Sequence, residues 1–244
     1  MHLFSLKKNY SKIVDPLTVD LHSHLIPGID DGAQTEEESL QLIQGLLDLG
    51  YKKVITTPHI HKSIYANTSE TIEAGLQKLQ SACFLKGLNI ELKAAAEYFF
   101  DNYFFECIEN KNLLTFGNQY VLFELPMNMV PVMVDSMIEN MHSKGYKPVL
   151  AHPERYHYFH DKSMAAYKRL KDQDVYFQVN LMSLTGYYNN DVKRAAQELI
   201  RKELIDFAGT DLHRQKQIAL IHSVKQDKFY KFLIDSEKLQ NQLI

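Results

Sequence analysis

Histidine and carboxylate residues recur at one kind of place along this chain, just past short apolar runs. They are Asp20-Leu21-His22-Ser23-His24 with Asp30-Asp31 close behind, Thr57-Pro58-His59, Glu97, Glu124, His152-Pro153-Glu154-Arg155, and Asp211-Leu212-His213, with Asn180 in a similar position. A single histidine at a strand end is usually a hydrogen-bonded structural residue. Five of them at such positions call for a common explanation. Glu97 follows Leu-Lys-Ala-Ala-Ala and Glu124 lies within Val-Leu-Phe-Glu-Leu-Pro, so both would be buried charges unless cations met them. His22 and His24 flank one residue, and the two-residue period of a strand points both imidazoles the same way, as two ligands of one ion require.

Imidazole and carboxylate without thiolate favour Mn, Fe or Zn in a catalytic site over a cysteine-rich structural zinc. So many candidate ligands exceed what one ion can use. Ions sharing carboxylates at about 3.5–4 Å would clamp a nucleophilic hydroxide and a leaving oxygen, the arrangement for hydrolysing a phosphate ester. Arg155 supplies a planar cation that could grip the non-bridging phosphate oxygens; the plainer alternative is a salt bridge to Glu154 or a surface charge. Asp161-Lys162 and Asp191 with Lys193 and Arg194 read as solvated helix faces.

Elements must bring these residues together. Aliphatic and β-branched runs predict seven strands: Leu17–Leu21, Lys53–Thr57, Ile90–Ala96, Tyr120–Glu124, Lys147–Ala151, Val175–Val179 and Ile205–Gly209. Each gap holds a helical pattern. The first has Thr35 and Glu38 as a capping box, apolar Leu40, Ile43, Leu46 and Leu47 on one face, and Gly50 at its end. Others are expected at Ser69–Lys86, Asn102–Asn110, Pro131–Ser143, Lys162–Lys171 and Asp191–Lys202. No interval is wide enough for a second domain, and alternation at this spacing argues for a parallel sheet closed as a (β/α)7 barrel. In a parallel barrel the C-terminal strand ends share one face, so the polar residues from six strands converge on one mouth. The tail after His213, with Phe229, Phe232, Leu233 and Leu239, is expected to be helical and to pack on the outside.

Composition removes several classes of function. In 244 residues, 27 Lys plus Arg stand against 30 Asp plus Glu, a net charge of −3, so no basic field points to nucleic acid. The first twelve residues lack an apolar signal core, and no stretch approaches a membrane span, which predicts a soluble cytoplasmic protein without membrane insertion. Two cysteines make no disulfide framework. They also cannot run the thiol route to tyrosine dephosphorylation, which needs an arginine six residues on, where Cys83 has Asn89 and Cys107 has Leu113. Aromatic residues crowd the expected mouth: Tyr98, Phe99, Phe100, Tyr103, Phe104, Phe105, Tyr156, Tyr158, Phe159, Tyr187 and Tyr188. They could stack on a phosphotyrosine ring, or cover the barrel edge or an oligomer contact.

The string VDLHSHLIPGIDDG, followed in order by TTPH, AAAEY, FELP, AHPER and AGTDLH, resembles the polymerase-and-histidinol-phosphatase superfamily. It is most similar to the bacterial branch of metal-dependent tyrosine-protein phosphatases that regulate capsular and exopolysaccharide synthesis. The resemblance runs from about Val19 to His213. It implies a distorted (β/α)7 TIM-like barrel, one phosphatase domain over 1–244, with two or three divalent metal ions, manganese first and iron or zinc as alternatives. Carried over residue by residue, the ligands are His22, His24, Asp30, His59, Glu97, Glu124, His152, Asp211 and His213, with Asp31 supporting a ligand or fixing the loop, or itself the ligand in place of Asp30 if the match is shifted by one position. Arg155 matches the phosphate-binding arginine. A second catalytic arginine further on has no clear counterpart, and Arg214 is the nearest candidate. The substrate implied is a phosphotyrosine-bearing protein, the tyrosine-rich tail of a bacterial tyrosine kinase in polysaccharide export; a homo-oligomer is compatible. Two alternatives remain open, a small-molecule phosphatase of the histidinol-phosphate type and a non-catalytic metal-binding regulatory module.

Overall fold

The computed structural model describes residues 17–244. The N-terminal stretch read as free of a signal core lies outside the described residues.

Strand and helix alternate in the order β1 (Val19–Asp20), α1 (Glu36–Asp48), β2 (Lys53–Thr56), β3 (His59–Ile60), α2 (Ser69–Lys86), β4 (Glu91–Ala94), β5 (Glu97–Phe99), α3 (Asn102–Glu109), β6 (Tyr120–Glu124), α4 (Val134–Ser143), β7 (Lys147–Ala151), α5 (Ala165–Lys171), β8 (Tyr176–Asn180), α6 (Asn190–Arg201), β9 (Phe207–Gly209), α7 (Lys216–Val224) and α8 (Lys228–Ile234). All strand pairs are parallel, in the orders β1-β2-β4 and β3-β5-β6-β7-β8-β9. The expected second and third strands are observed as β2 and β4, and each is followed, after a break at Thr57-Pro58 or at Ala95-Ala96, by a short strand, β3 or β5, beyond its expected end. Proline has no N–H to give the ladder, so the register interrupts there and resumes at His59. The two sheets stay in contact across the breaks: Thr57 N donates to Ser23 O (2.7 Å), Ala95 N to Thr56 O (2.9 Å) and Glu97 N to Pro58 O (3.1 Å). Beyond β9, Asp211 N donates to His22 O (2.7 Å) and His24 N to Leu212 O (2.9 Å), so the last strand's extension meets the first's. The result is a mixed α/β fold on a curled parallel sheet.

Local chemistry sets the helix starts. Thr35 caps α1 by accepting from Glu38 N (3.2 Å), but the Glu38 carboxylate reaches past Thr35 to Gln34 N (2.7 Å), so the expected capping box is displaced by one residue. Helix α4 begins three residues later than expected, because 126–133 forms a loop around Pro131. Helix α5 likewise begins at Ala165, since the Asp161 carboxylate accepts from Ser163 N (2.6 Å) and holds a turn in front of it.

One apolar layer lies between sheet and helices, with Leu42, Ile43, Leu46, Met137, Met141 and Leu199 fully buried. A second fills the inside of the sheet's curl, from Leu21, Ile55, Ala95, Leu122, Val149, Ala151 and Phe207. The tail corrects an expectation. It does not merely cover the outside: Ile244 packs against the inner cluster, and buried Asn241 binds three backbone groups of the first and last strands. Its Nδ2 donates to Val19 O (3.0 Å) and Ala208 O (2.7 Å), and its Oδ1 accepts from Ala208 N (2.9 Å).

Candidate metal centre

At the C-terminal ends of these strands, four donor atoms face one another without a hydrogen-bonding logic of their own. His22 Nε2 lies 3.3 Å from His24 Nε2, 3.2 Å from Glu97 Oε2 and 3.4 Å from Asp211 Oδ1; His24 Nε2 lies 3.5 Å from each of those oxygens. Ligands of a tetrahedral ion at about 2.0–2.1 Å stand roughly 3.4 Å apart, so this spacing fits a shared cation. The other ring nitrogens are tied down. His22 Nδ1 pairs with Gln178 Oε1 (2.8 Å), and His24 Nδ1 with Asp30 Oδ2 (2.7 Å). Those partners hold each ring by its Nδ1 and turn both Nε2 atoms toward the shared position.

Two further donor groups adjoin the first. His59 Nδ1 lies 3.2 Å from Glu97 Oε2 and 3.3 Å from Glu124 Oε1, and His152 Nε2 lies 3.0 Å from Glu97 Oε1, so Glu97 is shared between neighbouring groups. Asp31 Oδ1 stands 3.4 Å from His59 Nε2 and 3.5 Å from His213 Nε2, while His213 Nδ1 is turned away to the Asp211 carbonyl (2.9 Å). The two neighbouring aspartates therefore do different things. Asp30 has both oxygens engaged by protein donors, Oδ1 by Gly32 N (2.8 Å) and Oδ2 by His59 N (3.1 Å) as well as His24. Asp31 presents an oxygen to two imidazoles. Reading Asp31 as only a loop-fixing residue does not describe this geometry.

Charge is concentrated here. Burial disfavours the charged form of His22, yet Glu97 and Asp211 outweigh it and hold its pKa at about 9. Burial likewise opposes the charged forms of Glu97 and Asp211, and the imidazoles around them, His22 first, drive both well below the usual carboxylate range. A cluster that stabilises positive charge on His22, His24 and His59 is one in which divalent cations could stand in for protons. The backbone is shaped to the same end. His152 (φ 36°) and Asp211 (φ 51°) are among the few described non-glycine residues with positive φ, a strain of order 1–3 kcal/mol each that concentrates at functional sites. A Cβ at Gly32 would sit 2.2 Å from His24 O, so only glycine lets the aspartate loop close on the first strand.

A cavity of about 380 Å³ opens over these donors, with Arg155, Tyr187, Tyr188, Arg214 and Lys216 on its walls. The Arg155 guanidinium lies 4.5 Å from the Tyr188 ring centre, with Nη1 3.4 Å from Asp211 Oδ2. Its plainer reading, a salt bridge to Glu154, does not hold. Glu154 is fully buried and accepts instead from Asn180 N (2.9 Å) and Ser183 Oγ (2.7 Å). Arg214, by contrast, is exposed and donates to the carbonyls of Gly32 and His213. Among the aromatics expected at the mouth, only Tyr187 and Tyr188 line the cavity. Tyr98, Phe104, Tyr156 and Phe159 are core, and the Tyr98 and Tyr156 hydroxyls accept from Leu114 N (2.7 Å) and Leu125 N (2.9 Å).

Three roles escaped sequence reasoning: Gln178 on His22, Asn180 donating to Asp211 Oδ2 (2.6 Å), and Tyr188 donating to the same oxygen (3.1 Å). The available signal was Gln-x-Asn at the end of β8, two polar residues on one face of an otherwise apolar strand.

A family model described as capsular polysaccharide synthesis, CpsB/CapC, matches residues 18–220. The tyrosine-protein phosphatase YwqE of Bacillus subtilis (strain 168) is 25% identical over 199 residues, 81% of this chain and 78% of that protein. The tyrosine-protein phosphatase CpsB of Streptococcus pneumoniae is 23% identical over 201 residues, 80% of this chain and 82% of that one. Among solved structures, one from work on YwqE and CpsB, described as unique metal-dependent tyrosine phosphatases, superposes with a TM-score of 0.76 at 24% identity. It covers 87% of this chain and 90% of its own.

Proposed function

The chain belongs to the capsular polysaccharide synthesis CpsB/CapC family, and we propose that it is a metal-dependent protein-tyrosine phosphatase. The observation that carries this reading is the donor cage of His22, His24, Glu97 and Asp211, continued through His59, Glu124, His152, His213 and Asp31, beneath the guanidinium of Arg155. We assign these nine as the ligands of two or three divalent ions, manganese first, with iron or zinc as alternatives on the same donor set. Asp30 becomes the residue that positions His24. When bound, the ions supply a nucleophile from water at neutral pH and positive charge against the phosphate.

The chain's own residues do the rest. Arg155, stacked on Tyr188 and steered by Asp211, is placed to hold the non-bridging phosphate oxygens as charge builds on them. Arg214 fastens the Gly32 loop and adds positive charge at the cavity wall. Tyr187 and Tyr188 offer faces to an aryl group. The same cations disfavour the ammonium of histidinol phosphate, which leaves that substrate the weaker choice. The full donor set argues against a non-catalytic module. We further propose that β2 with β3, and β4 with β5, each count as one strand of a distorted (β/α)7 barrel forming a single phosphatase domain. Its substrate would be the tyrosine-rich tail of a bacterial kinase of polysaccharide export. Among the described residues no helix is long and apolar enough to cross a membrane, and the free, buried cysteines 83 and 107 support a reducing cytoplasm.

The test compares a phosphotyrosyl peptide with histidinol phosphate as substrates of the purified, manganese-loaded protein. The expected result is preferential, chelator-sensitive turnover of the peptide. Turnover of histidinol phosphate alone, or silence on both, would sink the reading.

A further inference from the structure

The segment from Leu125 to Val134, Leu-Pro-Met-Asn-Met-Val-Pro-Val-Met-Val, contains no charged residue, yet much of it is displayed to solvent. Val132 is 100% exposed, Met129 67%, Met133 56% and Val130 40%. Exposed apolar groups clustered this closely are a signature of an interaction site, and methionine is the side chain that adapts to varied partners.

The loop is also held in place. Leu125 is buried and its N–H binds Tyr156 Oη; Pro126 O accepts from Tyr158 Oη (2.8 Å); Val134 is buried at the start of α4. Its stem is therefore fixed while its tip stays free. The loop leaves the C-terminal end of β6, whose last residue, Glu124, lines the cavity. Met129 is five residues beyond Glu124, within about 17 Å of extended chain. An extended peptide with its phosphotyrosine seated in the cavity covers about 10–13 Å with three or four flanking residues, a span comparable to the reach of this loop from Glu124. Ile64 and Tyr187 are further exposed large hydrophobic residues on loops that follow strand C-terminal ends.

We propose that the β6–α4 loop is a docking surface for apolar side chains flanking the phosphotyrosine of a protein substrate, and thus a determinant of which tyrosines are dephosphorylated. This rests on the tyrosine-phosphatase reading above. A loop without charge rewards burial of aliphatic or aromatic neighbours and gives nothing to acidic or basic ones.

Three substrates test it: a phosphotyrosyl peptide with apolar flanks, the same peptide with serine and glycine flanks, and para-nitrophenyl phosphate, which has no flanks. The wild type should show a KM about tenfold lower for the apolar peptide than for the polar one, at similar kcat. A Met129→Ser, Val132→Ser, Met133→Ser variant should lose that difference while hydrolysing para-nitrophenyl phosphate as the wild type does. A wild type that treats both peptides alike overturns the proposal without touching the phosphatase reading, and needs no variant. Wild-type activity on para-nitrophenyl phosphate but on neither peptide removes the reading and the proposal together. A concentration-dependent dimer in sedimentation that the triple variant abolishes, with both peptides still treated alike, assigns the loop to a second copy of this chain instead.

Discussion

The two ends of the curled sheet are built from the same strands and obey opposite rules. Toward its N-terminal end the interior is apolar: Leu21, Ile55, Leu122, Val149 and Phe207 interdigitate, and the C-terminal tail seals them with Asn241 and Ile244. One to four residues further along stand His22 after Leu21, His152 after Val149 and Asp211 after Phe207, with Glu97 two residues past Ala95, all buried and ionisable, two of them on strained backbone. Satisfied backbone groups and apolar area stabilise one end. At the other end stability is given up to hold donor atoms 3.0–3.5 Å apart. The contrast teaches that fold and chemistry are separable along each strand, so changes at the two ends should fail in different ways.

The strongest way to break the comparison is at the donor cage. The protein should carry two or three divalent ions after gel filtration, and chelation should abolish phosphatase activity without unfolding the sheet. His22→Ala or Asp211→Ala should lose metal and activity together. Full activity with less than one equivalent of metal would remove the mechanism. Next in size is Arg155→Ala, which should keep its metal and its fold but lose a factor of about 10² to 10³ in kcat. Lysine there should rescue only in part, because a point charge cannot reproduce the guanidinium fork. Metal content measured beside kcat separates these classes; an Arg155→Ala enzyme that turns over normally would move the phosphate-binding role to Arg214 on the cavity wall.

The opposite end should show the reverse pattern. Asn241→Ala removes a donor and an acceptor from buried backbone groups of Val19 and Ala208, and should lower unfolding free energy by about 2–4 kcal/mol. Its kcat at 25 °C should stay within about twofold of wild type, because bonds at the strand beginnings do not reach the donor cage. Urea midpoints and kcat on the same preparations check both halves.

What the sequence disclosed follows the same division. Strand positions and the convergence of histidines and carboxylates were legible, because a period of two and a parallel barrel fix where strand ends fall. The adjacent pair Asp30-Asp31 was not. Both lie in a loop without periodicity, where nothing in the sequence shows that Asp30 binds His24 and Gly32 N while Asp31 faces His59 and His213. The tail's role was hidden because a lone asparagine near a chain end has no pattern to reveal its three backbone partners. Four of the eleven aromatics expected near the mouth are core, since position in the chain near a strand end says nothing of which way a ring points.

The smallest effect is expected from the cysteines. Cys83 and Cys107 are buried and unpaired, on α2 and α3. Burial pushes the Cys83 thiol up to about 11 and raises that of Cys107, so neither is a thiolate at neutral pH. Neither lines the cavity above the metal donors. The Cys83→Ser, Cys107→Ser double variant should therefore keep near wild-type turnover, and its cost should fall on stability, where a buried hydroxyl replaces a small apolar group. Thiol alkylation should leave activity intact as long as the fold survives it. A fall of more than about 100-fold in kcat in folded double variant, roughly 2.7 kcal/mol of barrier, would place the nucleophile on sulfur and undo the separation between the two ends of the sheet.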